Sequence, residues 1–224
     1  SGYRTGENPA RWRGHLDNLM PPPSRIRRVK HHAAMPYSEV GDFIQQLRNG
    51  SGVSRRALEF VILTAARTQE VLGSNWNEID FETRIWTVPA ERMKGLREHR
   101  VPLVDRAIEI LAEMRSTANS RFVFPGNRPN KGLSNMSLLA VLRRLQIEAT
   151  AHGFRSSFRD WASEVSDFPS EVAEQALAHV NKNKVEAAYR RGDLFVKRQC
   201  LMEAWATYLE KPQASVIPIR SQHA

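Results

Sequence analysis

Cysteine occurs once in 224 residues, at Cys200. That excludes an internal disulfide framework and accords with a reducing compartment. Apolar runs such as Phe60–Leu63 fall far short of the roughly 20 residues that a membrane-spanning helix needs. The opening residues show no signal-peptide pattern. There is no glycine-rich loop ending in Lys-Ser/Thr to cradle a nucleotide. His31 and His32 are adjacent, and His152 and His179 have no cysteine pair or acidic partner at zinc spacing. Nor do the acidic residues form the ordered clusters of a two-metal nuclease. Neither a metal nor a cofactor is therefore expected. Acidic charge is itself in deficit: 24 Asp+Glu against 33 Lys+Arg leave the chain at +9. A cationic excess of this size suits a polyanion partner. Without a membrane segment, nucleic acid is favoured over a membrane surface as the partner, and the cytoplasm (or nucleoid) over secretion as the location.

Three regions are expected along the chain. Residues 1–32 hold Pro21-Pro22-Pro23 and few periodic apolar positions, with seven basic residues against two acidic. They read as a basic linker, the remnant of a missing N-terminal DNA-binding domain, with Arg27, Arg28 and Lys30 as candidate phosphate contacts. Residues 33–210 read as the folded domain, and 211–224 as a C-terminal tail. Within the domain, Val40, Phe43, Ile44 and Leu47 share one helical face, and Leu58, Val61, Ile62 and Ala65 another, with Ser54 as an expected N-cap. Residues 85–88 and 99–103 have strand character, joined by a basic connection holding Lys94, and Arg121–Phe124 reads as a short third strand. Helices are expected after Asp105 and Ser134, from about His152, from Pro169-Ser170, over 184–191, and from Leu194 to Leu209. On the helix from His152, Arg155 and Arg159 fall off the apolar stripe of Phe154, Phe158, Trp161, Ala162 and Val165. The fold class is mainly α with a small three-stranded antiparallel β-sheet.

The chemistry-bearing residues are ordered. Arg67 stands in Ala65-Ala66-Arg67-Thr68-Gln69-Glu70 and Lys94 in Arg92-Met93-Lys94-Gly95. His152-Gly153-Phe154-Arg155 follows, then His179, 24 residues after Arg155, and Tyr189, ten residues later. A tyrosine hydroxyl can attack phosphorus and hold a DNA strand as a covalent ester. With an ordinary pKa of about 10, it needs help to lose its proton. Arginines suit the charge that builds on the non-bridging oxygens, because each meets two oxygens at once and stays charged. A loop lysine can protonate the departing oxygen, and histidines can take the tyrosine's proton or bond the phosphate.

This set, in this order, resembles the catalytic set of the tyrosine recombinases, in particular phage and genomic-island integrases. The segments Trp76–Asp80, Trp86–Pro89 and Arg97–Leu103 look like the integrase pattern too, and the resemblance covers residues 33–210. It implies the DNA breaking-rejoining fold and an enzyme that integrates or excises a mobile element. Tyr189 would be the nucleophile, Arg67 and Arg155 the activating arginines, His152 and His179 the site histidines, Lys94 the hairpin lysine and Glu70 a supporting carboxylate. It also implies a homotetramer on double-stranded DNA attachment sites, a monomeric isolated domain and an accessory directionality factor. Family members often carry glycine where Gln69 stands, and His-Thr where Ser156-Ser157 stand. Two other readings share these residues: a type IB topoisomerase-like enzyme, and a catalytically silent DNA-binding regulator. Intact chemistry at six positions argues against the second.

Overall fold

The structure is a computed structural model, and it describes residues 8, 10–20, 33–116, 120–128, 130–179 and 192–210. Arg27, Arg28 and Lys30, the expected helix over 184–191 with Tyr189, and the tail 211–224 lie outside the described residues. The chain divides into two units, Ser1–His32 and Ala33–Ala224. In the first, short helical turns cover Trp12–Leu16 and Asp17–Leu19.

The second unit is built around one helix that is buried on all sides. Helix α1 runs Tyr37–Arg48, α2 Val53–Thr64 and the short α3 Thr68–Leu72. Three short strands follow, β1 Ile79–Asp80, β2 Ile85–Val88 and β3 His99–Pro102. Then come α4 Asp105–Ser116, α5 Asn135–Arg144, α6 Phe154–Glu164, α7 Ser170–Ala176 and α8 Phe195–Glu210. Every residue of α2 from Ala57 to Thr64 is buried, and the helix packs against α1, α3, α4, α5, α6 and α8. The apolar periodicity identifies one face of α2; burial of the other brings Glu59 into the interior. Helix α8 turns Arg198, Leu201, Met202, Trp205 and Leu209 inward. Its Trp205 donates Nε1–H to the Ile62 carbonyl at 3.0 Å and joins Phe158, Trp161 and Tyr208 in one aromatic cluster. Among the described residues, no helix is long and apolar enough to cross a membrane.

The sheet is antiparallel in the order β1-β2-β3, with Trp86 opposite Val101 and Val88 opposite His99. Its third strand is Ile79–Asp80, not Arg121–Phe124. The latter segment makes one isolated bridge, Phe122 with Asn75, and Pro125 just after it makes another with Gly132. Its apolar residues serve the core instead: Val123 and Phe124 are fully buried, and Phe124 packs on Phe60 with ring centroids 5.4 Å apart. Helix α2 begins one residue before the expected cap Ser54, because Gly52 takes φ +113°, where a side chain is strained. Helix α6 begins at Phe154, two residues after His152. Gly153 is required there, since a Cβ would stand 2.1 Å from the Ala33 carbonyl oxygen.

Candidate active site

Arg67 is the residue before α3, so it stands at a helix start. Glu70 reaches back to it twice. One carboxylate oxygen accepts the Arg67 backbone N–H at 2.9 Å and the other accepts Nη1 at 2.8 Å. Glu70 is 3% exposed, so a buried carboxylate fixes the guanidinium in direction as well as charge. Arg67 Nη2 donates to the Ala178 carbonyl at 3.0 Å.

Arg155 is buried although it lies off the apolar stripe of α6. Its guanidinium donates to the Ala65 carbonyl and, at 2.6 Å, to the Leu177 carbonyl. Ala65 and Ala178 both adopt left-handed φ, +50° and +49°. Each such residue costs about 1 kcal/mol or more, and each turns a carbonyl toward one of the two arginines. The arginines thus share a floor formed by the end of α2 and the turn after α7. Burial, and then the charge of Arg67, lower the Arg155 pKa to about 10.

His179 closes this floor. Arg155 Nη2 lies 3.3 Å from His179 Nε2, and His179 Nδ1 lies 2.7 Å from Glu174 Oε2. Because a guanidinium only donates, Nε2 accepts, and the ring proton belongs on Nδ1, facing Glu174. Partial burial works against the Glu174 carboxylate, but hydrogen bonds from His179 and Arg159 outweigh it and hold its pKa below the usual value.

Lys94 is exposed in the β2–β3 connection, and His152 is exposed one turn before Arg155. The structure therefore gathers Arg67, Glu70, Arg155 and His179 through direct bonds. The backbone carbonyl of His152 accepts the Arg155 N–H at 3.2 Å; Lys94 is not among the residues these bonds join, and Tyr189 is outside the described residues. The departures in sequence are structurally mild. Gln69 is exposed on α3, and the Ser157 hydroxyl donates to the Met35 carbonyl.

Sequence reasoning passed over Glu174 and His99. The ring of His99, at the start of β3, bonds the Ala176 backbone, so Ala176, Leu177 and Ala178 are held in turn by His99, Arg155 and Arg67. The period-two pattern His99, Val101, Leu103 points His99 inward and could have found it; for Glu174 no such signal exists. Burial, then the charge of Arg198, opposed by the bond to Ala176, and further the charges of Arg67 and Arg155, lower the His99 pKa from 6.5 to about 4. An unfolded imidazole takes up its proton below about 6.5, while the folded one resists down to about 4. This contribution to stability is complete above pH 6.5 and is lost as pH falls toward 4. His99→Gln is expected to flatten the fall in unfolding free energy across that window by on the order of 3 kcal/mol. Urea denaturation at both ends of the window measures it, and an unchanged slope contradicts it.

Comparison with known proteins agrees with this fold. Residues 34–193 match the phage integrase family. The chain is 38% identical over 160 residues to prophage integrase IntA of Escherichia coli (strain K12), covering 70% of this chain and 38% of that protein. It is 34% identical to the integrase of Shigella phage Sf6, covering 82% of this chain and 49% of that one. The chain thus spans less than half the length of these relatives. Among solved structures, the integrase from mycobacterium phage Brujita superposes with a TM-score of 0.59 at 18% identity, over 79% of this chain and 58% of that one. A lambda integrase tetramer bound to a Holliday junction gives 0.52 at 18% identity, over 70% and 50%. At such identities the likeness speaks to the fold alone, and the fold is that of tyrosine recombinase catalytic domains.

Proposed function

Because this chain belongs to the phage integrase family, we propose that it is the catalytic domain of a site-specific tyrosine recombinase that integrates and excises a mobile DNA element. The observation that carries the reading is the arginine pair, Arg155 buried and Arg67 beside it with its side chain 21% exposed. Arg155 is 5% exposed, beside Arg67, with its pKa lowered to about 10. A buried cation beside a second cation is costly, and an anion entering from the exposed side of Arg67 relieves that cost. A phosphodiester is the anion the net charge of +9 would draw in.

In this reading Tyr189 Oη forms a bond to the scissile phosphorus as the P–O5′ bond breaks. The phenolic proton passes to a site histidine, with His152 and His179 assisting transfer and orientation. The Lys94 ammonium gives its proton to the departing 5′-oxygen. The products are a 3′-phosphotyrosyl enzyme and a free 5′-hydroxyl, so no phosphate-ester energy is lost and a second strand's 5′-hydroxyl can reverse the step. Arg67 and Arg155 stabilise charge on the non-bridging oxygens, with Glu70 orienting Arg67. This chemistry draws on no metal and no cofactor.

The domain would act as a monomer in isolation and as a homotetramer on paired attachment sites, with a directionality factor biasing the outcome. Arg27, Arg28 and Lys30 in the basic linker would hold phosphates. The solved lambda integrase tetramer on a Holliday junction supports such an assembly. The test is covalent capture on a nicked duplex of the element's own junction, from which the cleaved fragment diffuses away. An adduct that survives denaturant and maps by mass spectrometry to the peptide holding Tyr189 is expected. An adduct on another residue would overturn the choice of nucleophile, and DNA binding without any adduct would favour a silent regulator.

A further inference from the structure

The Lys94 loop is tied down at its base. Leaving β2, the chain makes a single turn over Ala90–Arg92, and the Arg92 guanidinium then meets two partners. Nη1 contacts both carboxylate oxygens of Glu78, and Nη2 donates to the Glu70 carbonyl. Glu78 is itself held from the core, accepting Nε1–H of the fully buried Trp86 at 3.0 Å and the Asn75 amide at 3.2 Å. The next residue, Met93, is buried, and its carbonyl accepts the Leu96 N–H at 3.0 Å, closing a tight turn around exposed Lys94.

A mostly buried ion pair of this kind, with side chains 22% and 7% exposed, is a weak source of stability, because desolvating both charges offsets their attraction. Its geometric content is larger. Arg92 bonds the main chain of Glu70, the same residue whose side chain holds Arg67. A continuous set of bonds therefore runs from Arg67 through Glu70 to Arg92, two residues from Lys94. We propose that Arg92 is a positioning residue for Lys94: it fixes the β2–β3 loop relative to α3, so that the ammonium and the Arg67 guanidinium address one phosphate. The inference rests on the proposed role of Lys94 as general acid.

Arg92→Lys keeps a charge against Glu78 but replaces the planar fork by a single point that cannot also hold the Glu70 carbonyl. It is expected to slow adduct formation by about 10- to 100-fold, the scale of a misplacement of about 1 Å, with unchanged DNA affinity and thermal melt. The double variant Arg92→Met/Glu78→Gln removes both charges, leaves no orphaned carboxylate, and gives the same readout should the single variant fold poorly.

The discriminating substrate is a nicked duplex of the element's junction with sulfur in place of the bridging 5′-oxygen. When its P–S bond breaks, the thiolate leaves without a proton, so general-acid defects vanish and other defects remain. With the full chain, Lys94→Ala and Arg92→Lys are both expected to recover most of the wild-type rate on sulfur, and Arg155→Ala is expected to stay slow. If Lys94→Ala is not rescued, Lys94 is not the acid, and this inference fails with that assignment. If Lys94→Ala is rescued while Arg92→Lys stays slow, Arg92 acts elsewhere and the inference alone fails. Full activity of Arg92→Lys on the oxygen substrate also overturns it.

Discussion

Arg155→Ala is expected to slow formation of the protein–DNA adduct by about 10²–10³, the scale seen when a donor aimed at developing oxyanion charge is removed. Tyr189→Phe, which deletes the oxygen proposed to bond to phosphorus, should leave no adduct at all. The physical reason for the arginine effect lies in its preparation. Its guanidinium is already desolvated and aimed, held by the Ala65 and Leu177 carbonyls and by His179, so no reorganisation is needed as charge develops. The same bonds make Arg155 structural, because its loss strands two carbonyls at about 1–3 kcal/mol each. The thermal melt must therefore be read beside the rate. Arg155→Lys retains charge but cannot bond two divergent carbonyls, and should recover only part of the rate. A loss under tenfold for Arg155→Ala, in protein that remains folded, would refute the role.

Periodicity made the helices legible because each buries a stripe. Val40, Phe43, Ile44 and Leu47 are all buried in α1, and Leu138, Val141 and Leu142 in α5. It failed where burial is not striped. Helix α2 is covered all round, so the pattern showed one face and hid Glu59. Arg155 is off the stripe of α6 yet buried, and Val165, on the stripe, is 50% exposed. No local pattern reports that a polar side chain will find carbonyls contributed by residues 90 and 22 positions away. The misplaced strand has a related cause. Arg121–Phe124 is apolar because it packs on Phe60, while the two-residue strand Ile79–Asp80 is too short to show alternation. Within the site, the Arg67–Glu70 spacing of three was readable, because a helix start brings those positions together. The bonds of Arg92 to Glu78 and of His179 to Glu174 were not, because composition says nothing about which carboxylate a cation chooses.

Glu59→Gln is expected to be the most damaging single change outside the site, lowering the unfolding free energy by about 3–5 kcal/mol. Glu59 is 0% exposed and sits on α2 beneath three arginines. Arg48 Nε donates to it at 2.7 Å, Arg106 Nε and Nη2 donate at 2.8 and 3.1 Å, and Arg56 Nη1 lies 3.7 Å away. Arg48 continues to Glu210 with bonds of 2.8 and 2.6 Å, so this one carboxylate joins the end of α1, the middle of α2, the start of α4 and the end of α8. Hydrogen bonding to Glu59, against the opposing effect of burial, raises the Arg106 pKa. A glutamine keeps the volume but offers one acceptor oxygen and no charge, leaving three half-buried cations to repel one another. Arg56→Ala should cost far less, about 1 kcal/mol or below, because Arg56 makes no hydrogen bond to Glu59 and its other partner, Glu113, is exposed. Urea denaturation of the two variants at neutral pH and low salt separates these expectations. Equal losses would mean that the cluster is a surface network, and that α2 is held by its apolar residues alone.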